Sequence, residues 1–96
     1  MFEWDSGKAA SNLRKHGVPF DVAVRVFDDP ARVEFDVSRV RDGEQRRKCV
    51  GRIDGKLFVV VFHMRDDYRR IISARRTNAN EDQAYVDGSH HRERSP

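Results

Sequence analysis

The sequence predicts an α+β domain with two N-terminal helices, a four-stranded, mostly antiparallel sheet and a short C-terminal helix. Hydrophobic residues recur every three or four positions up to Pro30 and every second position after it. An Asp54-Gly55 step, typical of a tight hairpin, separates two of the later segments. Since 96 residues suffice for one modest core, we expect a single domain over residues 1–88 and a flexible polar tail over residues 89–96.

Both N-terminal helices have recognisable ends. The first is predicted to begin after Asp5, a favourable N-cap residue, and to end at Gly17. The second fits Pro19–Asp28, because proline is tolerated in a first turn, and the step into Pro30 ends it. Its apolar stripe consists of Phe20, Ala23, Val24 and Phe27.

Strand patterns follow Pro30, and a last helix follows the strands. The predicted strands cover Val33–Val37, Arg46–Ile53, Lys56–His63 and Arg69–Arg76. The third is apolar on both faces over Leu57–Phe62, which indicates a central strand covered on both sides. Asn78 and Glu81 have the spacing of a capping box and predict a helix that ends near Gly88.

The hairpin turn also predicts the register of the sheet. If Asp54 and Gly55 form the loop, Ile53 pairs with Lys56 and Arg46 pairs with His63. Because side chains alternate across a sheet, one side, which we call the basic face, carries Arg46, Lys48, Arg52 and His63. The opposite side carries the predicted main core: Cys49, Gly51, Phe58, Val60 and Phe62. On the last strand, the set Arg69, Ile71, Ser73 and Arg75 is expected to join the basic face.

The net charge of +3 conceals an uneven distribution. Residues 1–44 carry 7 basic and 9 acidic side chains, residues 45–76 carry 10 and 3, and residues 77–96 carry 2 and 4. Fifteen of the 19 basic residues are arginine, whose guanidinium binds phosphate in a bidentate manner. This pattern indicates a nucleic-acid-binding surface, although arginine-rich strands can also be plain solvated edges.

Other classes of protein are disfavoured. The longest apolar run, Leu57–Phe62, is too short to cross a membrane, and the N-terminal residues do not resemble a signal peptide. A single cysteine, Cys49, forms no intrachain disulfide and is expected in the core, so a cytoplasmic protein is predicted. No metal-ligand spacing and no glycine-rich phosphate loop occurs, so neither a metal nor a cofactor is expected.

The remaining candidates fit RNA cleavage without a metal. A base must take the proton of the 2′-hydroxyl, cations must stabilise the phosphorane, and an acid must protonate the leaving 5′-oxygen. The candidate catalytic residues are His16, Lys8, Arg46, Arg75 and His63, with Lys15, Lys48, Arg52 and Ser73 as RNA-binding residues. Each has a structural alternative: His16 can interact with a helix dipole, and His63 can be a structural residue at a strand end.

These residues also resemble the signature of BrnT-type toxins, over about residues 2–88. The matching positions are Phe2–Asp5, Lys8, Asn12–Val18, Phe20, Ala23, Val26–Pro30, Asp42–Glu44, Arg46, Gly51, Leu57–His63, Arg70–Arg75, Glu81 and Tyr85. The Lys15-His16-Gly17 block and the Ile72-Ser73-Ala74-Arg75 block make the resemblance specific. The chain departs from the usual pattern at Pro19, Met64, Asp66 and 77–83, where arginines of the last helix are missing.

The resemblance implies a RelE-like fold and a type II toxin that cleaves RNA and blocks translation. It also implies a cognate DNA-binding antitoxin, through which alone the toxin would contact operator DNA, and no membrane partner. The matching positions add Arg70 to the RNA-binding residues and support Lys8, His16, Arg46 and Arg75. The alternative is a non-catalytic nucleic-acid- or antitoxin-binding module, that is, a degenerate toxin.

Overall fold

The computed structural model describes residues 1–94, except the side chains of Asp42 and of residues 89–94. Its strands are β1 (Phe2–Trp4), β2 (Val33–Asp36), β3 (Arg47–Ile53), β4 (Lys56–Arg65) and β5 (Tyr68–Arg76). Its α-helices are α1 (Ser6–His16), α2 (Phe20–Ala23) and α3 (Ala79–Arg94), and 3-10 turns cover Val24–Asp28 and Val40–Asp42. The predicted α+β class is confirmed, and no described helix is long and apolar enough to cross a membrane.

The strands form one mixed sheet in the order β1-β5-β4-β3-β2. Neighbouring strands run antiparallel, except β1 and β5, which run parallel. The prediction of four strands after two helices is therefore wrong in one respect, because a fifth strand precedes the first helix. With three residues, β1 is too short to show the alternation of apolar and polar residues that marks a strand. Its partner strand, in which Arg69 pairs with Phe2, lies far along the chain. The central position of β4 is confirmed.

The register predicted from the hairpin is confirmed. Ile53 pairs with Lys56 and Lys48 pairs with Val61, and both turn residues have positive φ, 50° at Asp54 and 81° at Gly55. Two positive φ angles twist a two-residue loop in the sense that matches the flanking strands. The predicted pairing of Arg46 with His63 falls just outside β3, which begins at Arg47.

The side of the sheet opposite the basic face, which we call the core face, packs against α1, α2 and the 3-10 turn that continues α2. Its buried residues are Val18, Phe20, Ala23, Val26, Phe27, Cys49, Ile53, Val60, Phe62, Ile71 and Ala74. A Cβ atom at Gly51 would lie 2.7 Å from the carbonyl oxygen of Val26, so strand and turn meet backbone to backbone. Burial raises the pKa of the Cys49 thiol to about 12, and the prediction that Cys49 lies in the core is confirmed.

The basic face is partly covered by α3. A second, smaller cluster of Val33, Val50, Val59 and Tyr85 lies between them. The predicted capping box is present, since the Asn78 and Glu81 side chains each accept a hydrogen bond from the other's backbone N–H at 2.9 Å. The helix extends to Arg94, past the end predicted near Gly88. Ser95 and Pro96, within the predicted flexible tail, lie outside the described residues, and the tail's flexibility stays a prediction.

A β-bulge divides β5 between the two faces. Val61 pairs with Ser73, whereas the next residue, Phe62, pairs with Ile71, which leaves Ile72 as the extra residue. An extra residue reverses the alternation of side chains beyond it. Ser73 and Arg75 therefore lie on the basic face, as predicted. The prediction that Arg69 and Ile71 join them is wrong, because both lie on the core face: Ile71 is buried there and Arg69 stacks on Phe62.

Beyond the short β1, the edge of β5 is covered by α1. The carboxamide of Asn12 accepts a hydrogen bond from Ala74 N–H at 3.1 Å and donates to Ala74 C=O at 2.8 Å. It also donates to the carbonyl of Val18 at 3.1 Å. Asn12 thus replaces a neighbouring strand and fixes α1 beside the sheet. Because positions three or four apart share one side of a helix, Lys8 and Lys15 lie along the same edge.

Candidate functional site

Eight of the ten predicted site residues fall into three groups, and the other two, Arg52 and Arg70, lie outside them. The first two groups lie on the basic face, and each is organised around a glutamate that sequence reasoning did not assign to the site. The third lies where α1 meets the β5 edge. Among the described side chains, no three His, Cys, Asp or Glu residues come together as a metal site requires.

The first group, which we call the imidazole cluster, consists of Glu44, Arg46 and His63. One oxygen of Glu44 lies 3.1 Å from Nε of Arg46, and the other lies 3.7 Å from Nδ1 of His63. The cluster brings together an imidazole, a guanidinium and a carboxylate, which are groups for proton transfer, charge stabilisation and orientation.

Backbone contacts hold the imidazole cluster in place. Glu44 is fixed by an isolated bridge to Arg39 that closes the loop before β3. Arg46 is fixed where its backbone N–H donates to the Ser38 hydroxyl at 2.8 Å. On the next strand, His63 pairs with Arg70, whose Nη1 lies 3.7 Å from Glu3 of β1. Arg70, a predicted RNA-binding residue, therefore lies beside the imidazole cluster and has Glu3 as its own acidic partner.

The second group is centred on Glu81, which is only 3% exposed. Both oxygens of its carboxylate accept hydrogen bonds from Arg75 at 2.8 Å, and one also accepts from Nζ of Lys48 at 3.1 Å. Burial alone raises the pKa of Glu81, but the hydrogen bonds from Arg75, Asn78 and Lys48 outweigh it and lower the pKa to about 2. The same pairing raises the pKa of Arg75. Two predicted phosphate ligands thus hold an internal anion.

Arg52 takes part in docking α3. Its guanidinium lies 5.4 Å from the centre of the Tyr85 ring, and its backbone N–H donates to Asp29 at 2.8 Å. The Tyr85 hydroxyl donates to the same Asp29 carboxylate at 2.7 Å. Although its burial opposes the shift, the hydrogen bonds from Tyr85, Ala31 and Arg52 lower the pKa of Asp29. The shared hydrogen bonds of Arg52 and Tyr85 to Asp29 therefore join the hairpin end of the sheet to α3.

The third group lines a cleft of about 260 Å³ between α1 and β5. Its lining residues are Lys8, Ser11, Asn12, Lys15, His16, Ile72 and Ser73. No carboxylate is among them, in contrast to the first two groups. Asp5 caps α1 by accepting from the backbone N–H of Lys8 at 2.9 Å, so the lysines project from a well-anchored helix. Since Ser73 lies on the basic face, the cleft borders that face at its β5 edge.

Sequence reasoning therefore identified the cations and missed their acidic partners. The missed residues are Glu3, Glu44 and Glu81. Glu81 had a signal, but only as a capping residue, because the capping-box spacing says nothing about strands that approach from the other side. A concavity of about 910 Å³ between β2 and α3 contains none of the predicted site residues.

Comparison with known proteins identifies a family. A family model described as the ribonuclease toxin, BrnT, of type II toxin–antitoxin systems matches residues 4–81. No curated protein matches the chain significantly. The matched segment contains α1, the whole sheet apart from the first residues of β1, and Glu81 at the start of α3.

Proposed function

The chain belongs to the BrnT family of ribonuclease toxins of type II toxin–antitoxin systems, and from this premise we propose that it is a metal-independent endoribonuclease. It acts in the cytoplasm, where it arrests growth by cleaving RNA that translation requires. A cognate DNA-binding antitoxin neutralises it, and operator DNA is reached only through that antitoxin. The RelE-like fold implied by the resemblance agrees with the α+β architecture.

One observation carries the proposal: the imidazole cluster lies on the part of the basic face beyond the contacts of α3, where the side chains of His63 and Arg46 are 16% and 25% exposed. Tyr85 of α3 contacts Arg52 near the hairpin, and Glu81 contacts Lys48 in the middle of β3. His63 and Arg46 lie further along their strands, beyond the reach of these contacts. An RNA strand laid across this open end meets the cluster first and the cleft beside Ser73 next.

Cleavage requires two proton transfers and stabilisation of one developing charge. We assign one proton transfer to His63, because the imidazole is suited to it at neutral pH and the Glu44 carboxylate orients the ring. His16 remains the candidate for the second. In the reaction, the 2′-oxygen loses its proton and attacks the adjacent phosphorus, and the 5′-oxygen leaves with a proton. The products are a 2′,3′-cyclic phosphate and a free 5′-hydroxyl.

Positive charge along this path supplies the remaining requirement. Arg46 stabilises the phosphorane from within the cluster, while Lys8, Lys15 and Ser73 bind a neighbouring phosphate in the cleft. Arg70 contributes from beside His63, and Lys48, Arg52 and Arg75 add to the electrostatic attraction of the face for RNA. Arg75 also has a proposed role in holding the phosphate once RNA competes with Glu81.

The deciding experiment incubates the purified chain with RNA in the presence of a metal chelator. We expect fragments that end in 2′,3′-cyclic phosphate, because only 2′-hydroxyl attack forms them. Replacing His16, Arg46 and Arg75 together by alanine should abolish both cleavage and growth arrest. His63→Ala and Glu44→Gln should separately lower the rate by about 100-fold or more, as expected for loss of a proton-transfer group or of its orienting partner.

A matched control keeps this test specific. Arg25→Ala also removes an arginine that pairs with a carboxylate, but Arg25 lies at the hairpin beside Asp54. Cleavage by this variant should stay close to that of the wild type. Full cleavage by the triple variant would refute the proposed site, whereas RNA binding without any cleavage by the wild type would refute the enzymatic function.

One observation favours the non-catalytic alternative. Arg46, Lys48, Arg70 and Arg75 already have carboxylate partners within the chain, as expected of cations with a structural role. A degenerate toxin of this kind would bind RNA in a salt-sensitive manner and would not cleave it. The chelator experiment therefore separates the two functions.

A further inference from the structure

A second basic feature lies on the core face, away from the proposed RNA surface. Arg69 of β5 is flanked by its strand partners, Phe2 on β1 and Met64 on β4. Its guanidinium carbon lies 4.5 Å from the ring centre of Phe27, 5.8 Å from that of Phe62 and 6.0 Å from that of Phe2. We call this group of five residues the arginine patch.

The backbone N–H of Arg69 donates to the Met1 carbonyl at 2.8 Å, but within the described part of the chain its guanidinium has no hydrogen-bond acceptor. Its Nε is buried without a partner, and no described carboxylate lies within ion-pair distance. Two other arginines of the same strand do have acceptors. Arg75 forms an ion pair with Glu81. Arg76 also stacks on a phenylalanine, but its Nε donates to the Leu57 carbonyl at 2.9 Å. Because Nε is buried, a ligand can reach only the terminal nitrogens of this guanidinium, and a carboxylate that pairs with them gains a charge-assisted hydrogen bond.

The surroundings of Arg69 favour a protein ligand over RNA. Phe2 is 36% exposed and Met64 46% exposed, so apolar surface flanks the cation on both sides. The centres of protein–protein interfaces are enriched in phenylalanine, methionine and arginine. RNA affinity, in contrast, comes from several phosphate contacts, and the neighbouring arginine on the same strand, Arg70, points to the other face, beside His63.

We propose that the arginine patch is a docking site for the antitoxin, and that it binds an aspartate or glutamate flanked by apolar residues. The acidic group pairs with the exposed end of the Arg69 guanidinium, and the apolar residues cover Phe2 and Met64. Charge complementarity requires the carboxylate, and the exposed apolar flanks require its neighbours. This inference rests on the assignment of the chain to a toxin–antitoxin pair, and does not depend on which residues cleave RNA.

The test measures antitoxin affinity by titration calorimetry with two matched variants of the full chain. Arg69→Ala should weaken binding at least about 30-fold, the effect typical of an interface hot spot. Arg76→Ala removes an arginine of the same strand that also stacks on phenylalanine, and should change the affinity by no more than about threefold. Arg69→Met, which keeps an apolar side chain of similar length over Phe27, should weaken binding nearly as much as Arg69→Ala. It therefore separates loss of charge from loss of packing.

Short overlapping synthetic peptides that span the antitoxin identify the occupant. A peptide that binds the wild type and not Arg69→Met should contain an acidic residue between apolar ones, and replacing that residue by lysine should abolish binding. Antitoxin affinity within about threefold of the wild type for a folded Arg69→Met variant would overturn the proposal. So would a loss of RNA affinity with unchanged antitoxin affinity, which would assign the patch to RNA.

RNA cleavage, measured on the same samples, keeps the two proposals apart. Arg69→Met should cleave RNA like the wild type, because Arg69 lies on the face opposite the imidazole cluster. Failure of the wild type to cleave would refute the ribonuclease function and leave the docking result intact.

Discussion

The two faces of the sheet are built from the same strands but are stabilised in different ways. On the core face, apolar side chains from β3, β4, β5, α2 and the 3-10 turn meet, and a glycine allows the backbones of β3 and the 3-10 turn to touch. On the basic face, cations surround single carboxylates, most clearly Lys48 and Arg75 around Glu81. Apolar burial stabilises the first face at any pH, whereas the second depends on charge.

This difference explains where function can reside. A close-packed interior tolerates little change, so the core face is suited to maintaining the fold, except at its exposed edge beside Arg69. The charges of the basic face attract an anionic ligand, and its internal carboxylates satisfy the same cations when no ligand is bound. We therefore propose that the first two groups of candidate residues combine a structural role with a functional one.

The largest expected effect on stability comes from the core face. Phe62→Ala should lower the free energy of unfolding by about 4 kcal/mol, because Phe62 is 1% exposed and its removal leaves a cavity. Urea denaturation followed by circular dichroism measures the change. Leu13→Ala, at an exposed position of α1, should cost less than about 1 kcal/mol. A loss at Phe62 as small as that at Leu13 would contradict the assignment of the core.

The basic face should respond to pH. Glu81→Gln should cost roughly 3 kcal/mol at pH 7, since a shift of the pKa from 4.5 to about 2 on folding corresponds to that amount. Because the folded-state pKa is lowered, this stability is fully present above about pH 5 and is lost as the pH falls from 4.5 through about 2. The wild type and the variant should therefore converge in acid, as measured by urea denaturation across this range.

Two controls sharpen the pH prediction. Glu3→Gln breaks a longer, more exposed contact with Arg70 and should change stability by about 1 kcal/mol or less. Phe62→Ala should show a cost that does not vary with pH between 3 and 7 on the scale of roughly 1 kcal/mol. If the cost of Glu81→Gln stays constant down to pH 2, the carboxylate does not stabilise the basic face through its charge.

The junction between the faces depends on Asn12. Asn12→Ala should lower the free energy of unfolding by about 2 kcal/mol, because it leaves the buried N–H and C=O of Ala74 without partners. Hydrogen exchange should show faster opening at Ala74 than at β4. Asn12→Asp keeps the acceptor and loses both donated bonds, so its free energy of unfolding should also lie below that of the wild type. Wild-type stability in either variant would show that α1 is held by other contacts.

The smallest effect is expected where α3 docks near the hairpin. Tyr85→Phe removes the hydrogen bond to Asp29 and keeps the ring against Arg52, so it should cost about 1 kcal/mol. Thermal denaturation of the two proteins at pH 7 measures this difference. Tyr85→Ala, which also removes a buried ring, should cost about 3 kcal/mol or more. Equal costs for the two variants would show that the ring itself contributes nothing to docking α3.

Local signals in the sequence predicted most of the fold. The Asp54-Gly55 turn predicted the register of β3 and β4, since a two-residue loop leaves no freedom in pairing. The caps at Asp5 and Gly17 predicted the ends of α1. In contrast, β1 and the bulge at Ile72 had no local signal, because a parallel partner and an extra residue are apparent only when distant strands lie side by side.

The candidate site divides in the same way. The sequence by itself determined which residue types are available: the concentration of arginine between residues 45 and 76, the histidines, the family signature and the face on which Lys48 and Arg52 lie. Only the tertiary structure decided their partners. It placed Glu81 against Lys48 of β3 and Arg75 of β5. It also placed Glu44 between Arg46 and His63, and Arg69 on the core face. The physical reason is that strand alternation is a local property, whereas ion pairs and stacking form between residues that only folding brings together.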